Sequence, residues 1–212
     1  MVERILAAGR EVLVDDGYDA FTTNRVATRA GISPGSLYQY FSDKVAIVEA
    51  VTDRWTEEVS ERVAASLTER LGVTGRPMVR GVVDGLLAAV ESDPELLRVV
   101  TTELPGSRYR ARRQALRRRI AEVTTAALAG RGTRRPDAAT SGWLLVVALE
   151  ALAVQWVLEP PPARAGETPA DQRDRIVEEL TDLCLAYLAS AGTPASSVET
   201  PVDAPDAAPE NA

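Results

Sequence analysis

Residues 22–44, TTNRVATRAGISPGSLYQYFSDK, carry capping and turn residues at a spacing that leaves the chain little freedom. Thr22 or Thr23 can accept a hydrogen bond from the first turn of a helix that ends at Ala30, and Gly31 supplies the turn that follows. Ser33-Pro34 reads as the N-cap and first position of a further short helix, because proline's missing N–H costs nothing there. Ser42-Asp43 caps the next helix, which the pattern extends to about Leu71. Across the Gly31 turn, Val26 and Ala27 face Ile32 and Leu37, and the small side chain of Ala27 lets the two helices approach closely. Two short helices clamped at a fixed angle by such a turn form a helix-turn-helix.

The rest of the chain is patterned as helix. Ile5, Leu6, Gly9, Val12 and Leu13 share one face of a helix over 3–16, which Asp15, Asp16 and Gly17 terminate. Beyond Gly72–Pro77 the breaks at Asp93-Pro94, Pro105-Gly106, residues 130–136 and residues 159–170 separate further helices, one of them arginine-rich over about Ser107–Leu128. Ala, Leu and Arg are abundant, and they lose little side-chain freedom in a helix. The expectation is an all-α chain of about nine helices, with a helix-turn-helix domain over 1–46 and a second helical domain over 47–191, for which the family resemblance given below implies ligand binding and dimerisation. Residues 192–212, rich in Pro, Ala and acids, are expected to form a disordered tail.

Composition removes several chemistries. There is no histidine and a single cysteine, Cys184, so imidazole catalysis, most metal sites and intrachain disulfides are excluded. No Gly-rich phosphate loop and no nucleophile elbow is present, and neither an enzyme nor a cofactor is expected. The start MVERILAAGREVLVDDG has neither the basic opening nor the apolar run of a signal peptide. Gly142–Leu158 is apolar, but Glu150 and Gln155 interrupt it, and it reads as too short for a membrane span. The expectation is a cytoplasmic protein with no membrane contact.

The outward residues of the Pro34 helix are Ser33, Gly35, Ser36, Tyr38, Gln39 and Tyr40. Small and hydrogen-bonding side chains are odd on a solvated helix and sensible on one that enters a major groove, where hydroxyls and amides read base edges. Thr23, Tyr40 and Lys44, the only lysine, are placed to hold phosphates, with Arg25 either a phosphate contact or a solvated side chain. Leu37 and Phe41 read as core.

The stretch Arg4–Val51, and above all AGIS-x-G-x-LY-x-YF-x-x-K over Ala30–Lys44, resembles the N-terminal domain of TetR-family regulators. The resemblance implies a homodimer, paired through C-terminal helices, that sets two recognition helices in successive major grooves of a double-stranded operator about 34–36 Å apart. It also implies a small-molecule effector that enters the C-terminal domain, shifts the fourth helix and releases a repressor from its palindrome. The alternative is a regulator controlled by a protein partner or by no ligand, with a C-terminal domain that only dimerises; a closed apolar cavity within one subunit discriminates the two. Members of the family often carry a basic arm, yet here only Met1 and Val2 precede Glu3, and residues 1–50 hold five cations against seven acids. Either the motif carries most of the binding unaided, with a shallow salt dependence, or the chain begins upstream of Met1.

In the C-terminal half, a helix over 137–158 is apolar nearly all round and needs cover on every side. With the apolar stripe of the helix over 170–190 it suits a four-helix interface, two helices from each subunit. Leu145, Leu149, Leu152 and Trp156, with Leu180, Leu183, Cys184 and Tyr187, are the candidate dimer residues; the bland alternative makes half of them intrachain core. Glu150 either meets a ligand or pairs with an arginine, and Trp143 either lines a pocket or is core. The run SRYRARRQALRRR over Ser107–Arg119 reads as a solvated basic face, with nucleic-acid or anion recognition as alternatives.

Overall fold

The computed structural model describes residues 1–70, 72–104, 114, 117–118, 120–122, 124–126, 128–129 and 137–190. Eight helices have defined ends: α1 (Val2–Ala20), α2 (Thr23–Arg29), α3 (Pro34–Tyr38), α4 (Lys44–Thr68), α5 (Arg76–Glu91), α6 (Pro94–Thr102), α7 (Ala138–Leu158) and α8 (Pro169–Ala189). The described residues between 114 and 129 are also helical, and no described residue lies in a strand. The acidic tail over 192–212 and the loop over 130–136 lie outside the described residues.

Capping explains most helix starts. Thr22 Oγ1 accepts from Arg25 N at 3.3 Å, and Ser33 Oγ from Ser36 N at 3.1 Å. Asp43 accepts from Ala46 N at 2.9 Å, Asp93 from Leu96 N at 3.1 Å, and Asp137 from Ala139 N and Thr140 N at 2.9 and 3.0 Å. Thr168 and Asp171 form a reciprocal capping box at the start of α8. Gly17 breaks α1 as its sequence position suggests, with φ 75° and ψ 172°, but helix resumes to Ala20 beyond it. α3 ends at Tyr38, so Gln39 and Tyr40 leave the helix rather than continue it.

Ile5, Leu13, Phe21, Val26, Leu37 and Ile47 are fully buried and form the core that joins α1, α2, α3 and α4. Gly31, at φ 64°, makes the turn between α2 and α3, a conformation that side chains with a Cβ rarely adopt. In the C-terminal half α5 is central and packs on α4, α7 and α8. Its crossing with α4 is close: Ser66 Oγ donates to Gly81 O at 3.2 Å, and a Cβ on Gly85 would stand 2.0 Å from Ser66 Oγ. The halves meet where α1 lies on α6.

α7 is the one helix long and apolar enough, among the described residues, to cross a membrane by length and composition. Counted from Ala138 it runs for 21 residues, longer than the stretch from Gly142 suggests, and an 18-residue window within it has mean hydropathy 1.7. Here it packs against α5, α6 and α8. One chain covers only part of it: Trp143 is 55 % exposed, Leu144 and Leu152 41 % each.

Candidate nucleic-acid interface and effector cavity

The helix-turn-helix places its outward residues as the spacing suggests. Leu37 is fully buried and Phe41 half-buried, while Gly35, Gln39, Tyr38 and Tyr40 are exposed. A Cβ on Gly35 would meet nothing nearer than Ser33 Oγ at 3.9 Å, so its smallness serves no contact within the chain. Thr23 Oγ1 and the Tyr38 hydroxyl lie 3.1 Å apart, a bond that ties the start of α2 to the end of α3. Ser33 and Ser36 hydroxyls lie 2.9 Å apart, so both of these expected readers already have a partner in the chain.

The arginines of this surface are held by neighbouring acids. Arg25 pairs with Asp16 at 2.7 Å. Arg29 pairs with Glu11 at 3.1 Å and Asp15 at 2.9 Å, and hydrogen bonds to these carboxylates raise its pKa. The acids of α1 thus offset the arginines of α2. Lys44 Nζ stands 4.7 Å from the centre of the Tyr18 ring, a cation–π distance.

A second feature lies in the C-terminal half. α4, α5, α6, α7, α8 and the described residues of 114–129 line a cavity, partly open among the described residues, of about 360 Å³, within the size range of small-molecule sites. Its walls are Val, Leu, Ile and Met side chains with few polar exceptions, among them Arg117, Glu150 and the indole of Trp55. Arg117 donates to Glu150, so the carboxylate on the apolar helix is an ion-paired group that also faces the cavity. Trp55 is 7 % exposed, and its Nε1–H, buried, finds no acceptor among the described residues. Sequence reasoning missed Trp55 and Arg117: the first reads as ordinary core on α4, the second as one arginine in a basic run. Burial pushes the Cys184 thiol, also on the cavity wall, up to about 11.

Several placements read from spacing need correcting. Trp143 is exposed and does not line the cavity. Of the candidate dimer residues, Leu145, Leu149 and Cys184 line the cavity, and Leu180 is buried at 8 % exposure. The Trp156 indole donates to Glu91 at 2.6 Å, and the Tyr187 hydroxyl to Ser141 Oγ at 3.3 Å. Leu152 and Leu183 are the two candidates on the open face, at 41 % and 53 % exposure. That face runs through Trp143, Leu144, Ala148, Ala151 and Leu152, about 100° around the helix from the stripe read from spacing. A helix apolar nearly all round has no continuous polar edge to mark which side turns inward.

Residues 5–51 match the family described as "Bacterial regulatory proteins, tetR family", and residues 74–188 match "Tetracyclin repressor-like, C-terminal domain". The chain belongs to the TetR family. The family's proteins are described as bacterial regulatory proteins, and the helix-turn-helix lies within the matched N-terminal residues. Among curated relatives, the HTH-type transcriptional activator FasR of Mycolicibacterium smegmatis is 33 % identical over 97 residues, 46 % of this chain and 43 % of the relative. Nucleoid occlusion factor SlmA of Actinobacillus pleuropneumoniae is 29 % identical over 87 residues, 41 % and 42 % of the two chains. The chain therefore spans less than half the length of these relatives. Solved TetR-like folds agree over nearly the whole molecule. A TetR-like transcriptional regulator from Rhodococcus sp. RHA1 has TM-score 0.62 at 24 % identity, covering 87 % of this chain and 94 % of that one. The fatty acid degradation regulator FadR of Bacillus halodurans has TM-score 0.65 at 18 % identity, covering 87 % and 94 %.

Proposed function

We propose that the chain is a cytoplasmic, homodimeric, sequence-specific repressor that a small apolar effector releases from a palindromic operator. The observation that carries this reading is the cavity walled by α4, whose first residue, Lys44, lies beside the recognition helix. Trp55 is eleven residues along that helix, a distance of about 16 Å. A ligand against Trp55 has a rigid element through which to bias the position of α3. A solid core would have favoured control by a partner protein.

Tyr38 and Gln39 read base edges in this proposal, and Gly35, with no side chain, lets the backbone come close to the DNA. Thr23, Ser33, Ser36, Tyr40 and Lys44 hold the backbone, and Arg25 joins them by exchanging Asp16 for a phosphate. The open face of α7 with Leu183 of α8 buries against a second copy.

The test begins with selection of duplex DNA from a random pool by the full chain. The reading expects a palindrome of two half-sites one or more helical turns apart, occupied by two subunits. With the selected operator in front of a reporter, the protein should lower output. A rise would make the chain an activator, as FasR is named, and no enriched sequence would defeat the proposal.

A further inference from the structure

We infer that Tyr18 is a positioning residue for DNA binding: its ring aims Lys44 at the phosphate backbone, and Glu103 of α6 holds that ring in place. The inference rests on the reading of the chain as a DNA-binding regulator, and adds to it a phosphate clamp that both halves of the molecule build together.

Residues 1–50 carry five cations, and three of them are neutralised where they stand. Arg10 pairs with Asp93, Arg25 with Asp16, and Arg29 with Glu11 and Asp15. Among the described residues Lys44 is in no ion pair; its Nζ stands instead 4.7 Å from the centre of the Tyr18 ring. A carboxylate would hold the ammonium and cancel its charge. A ring face attracts it through the quadrupole and leaves the charge whole. The three N–H donors of the ammonium stay available to phosphate oxygens. Lys44 is also half-buried, so its long stem is restrained before DNA arrives. Restraint of that kind removes an ordering cost that the complex would otherwise bear.

Tyr18 is in turn placed by the C-terminal half. Glu103, at the end of α6, accepts from Tyr18 N at 3.0 Å across 85 positions of sequence. Gly17 makes that approach possible: its φ is 75°, and a Cβ there would stand 2.8 Å from Glu103 Oε2. The Tyr18 side chain packs against the core of the DNA-binding unit. One backbone bond from α6 and one packed ring therefore fix the direction in which the first residue of α4 points its charge.

The test measures affinity of the full chain for the selected operator over a range of salt. Lys44→Gln should weaken binding and lower the slope of log affinity against log salt by about 0.9, the share of one phosphate contact. Tyr18→Leu should weaken binding roughly threefold, the worth of an exposed cation–π contact. Tyr18→Phe keeps the ring and should restore wild-type affinity, and Tyr18→Leu should cost nothing further in Lys44→Gln. Glu103→Ala should also weaken binding roughly threefold through loss of the same contact. Loss of an acidic charge by itself would tighten binding, so the sign separates positioning from bulk electrostatics. Glu103→Gln keeps an acceptor and should bind at least as tightly as wild type. Glu103 is exposed, so this arm stands even where Tyr18→Leu does not fold. Lys44 is the only lysine, so labelled lysine gives one set of side-chain resonances. Its ε protons should lie upfield of those of free lysine, and move back toward them in Glu103→Ala. Unchanged or tighter binding by Glu103→Ala, a wild-type salt slope in Lys44→Gln, equal losses from Tyr18→Leu with and without Lys44, or unshifted Lys44 resonances would overturn the inference, while operator binding by wild type keeps the DNA reading. Absence of any wild-type binding would overturn both.

Discussion

Arg10 of α1 grips Asp93 at the start of α6 with two hydrogen bonds, Nε at 2.5 Å and a terminal nitrogen at 2.7 Å. The same Asp93 caps α6 through Leu96 N, so one carboxylate holds a helix start and fastens the DNA-binding unit to the C-terminal half. Asp93 raises the Arg10 pKa, chiefly through the hydrogen bond. At the other end of α6, Glu103 accepts from Tyr18 N at 3.0 Å, beside the Gly17 break in α1. The two ends of one short helix thus hold α1 in place.

Replacing Asp93 by Ala should therefore cost about 2 kcal/mol, from a lost cap and a partly exposed ion pair. Melting should fall by roughly 4–8 °C. Asp93→Asn keeps an acceptor for the cap and should lose less. Equal melting temperatures for wild type and Asp93→Ala would show that the contact carries no stability.

Gln39→Ala and Tyr38→Phe should each weaken binding to the selected operator by roughly tenfold, in line with the loss of a base contact or of the Thr23 link. Both positions are exposed, so melting should change little. Fluorescence anisotropy at fixed salt measures the first effect and calorimetry the second. Undiminished affinity in both variants would remove α3 as the reading element.

Leu183→Asp, on the open face of α8, should convert the dimer to monomer in sedimentation, since a charge there would be buried against the second copy. The helical circular dichroism of the monomer should persist, because Leu183 packs little within its own chain. Leu180→Asp differs: it places the charge in the subunit's own core and should unfold it. A stable dimer of Leu183→Asp would move the interface elsewhere.

Glu167 accepts from Arg175 and from Arg164 N, which together hold its carboxyl near 2. A depressed folded pKa stabilises above the unfolded value of about 4.3 and is lost as pH falls toward 2. Wild type should therefore lose stability steadily between about pH 4.5 and 2. Glu167→Gln should flatten that part of the profile, measured by denaturant melts at each pH. Identical profiles would place the acid sensitivity in other carboxylates.

The Cys184 thiol, raised to about 11 and buried, should resist alkylation at pH 8 until the chain unfolds. Rapid labelling of the native protein, followed by mass spectrometry, would contradict its placement.

What could be read directly from residue order is local. Ser33-Pro34, Gly31, Asp43 and Asp93-Pro94 act on the backbone within a few residues of themselves, so helix starts and the helix-turn-helix were legible without coordinates. The spacing of Val26, Ala27, Ile32 and Leu37 likewise marked its own core, because those residues meet across a single turn. The cavity and the open face of α7 were decided in three dimensions. Leu144 and Leu145 are the same residue at adjacent positions, yet the first faces out and the second lines the cavity. Their difference is the rotation of α7 about its axis, set by α5, α6 and α8, elements distant in sequence. The same holds for Arg117, which pairs with a carboxylate 33 residues away, and for the Trp55 indole, whose unmet donor depends on what every surrounding helix fails to offer it.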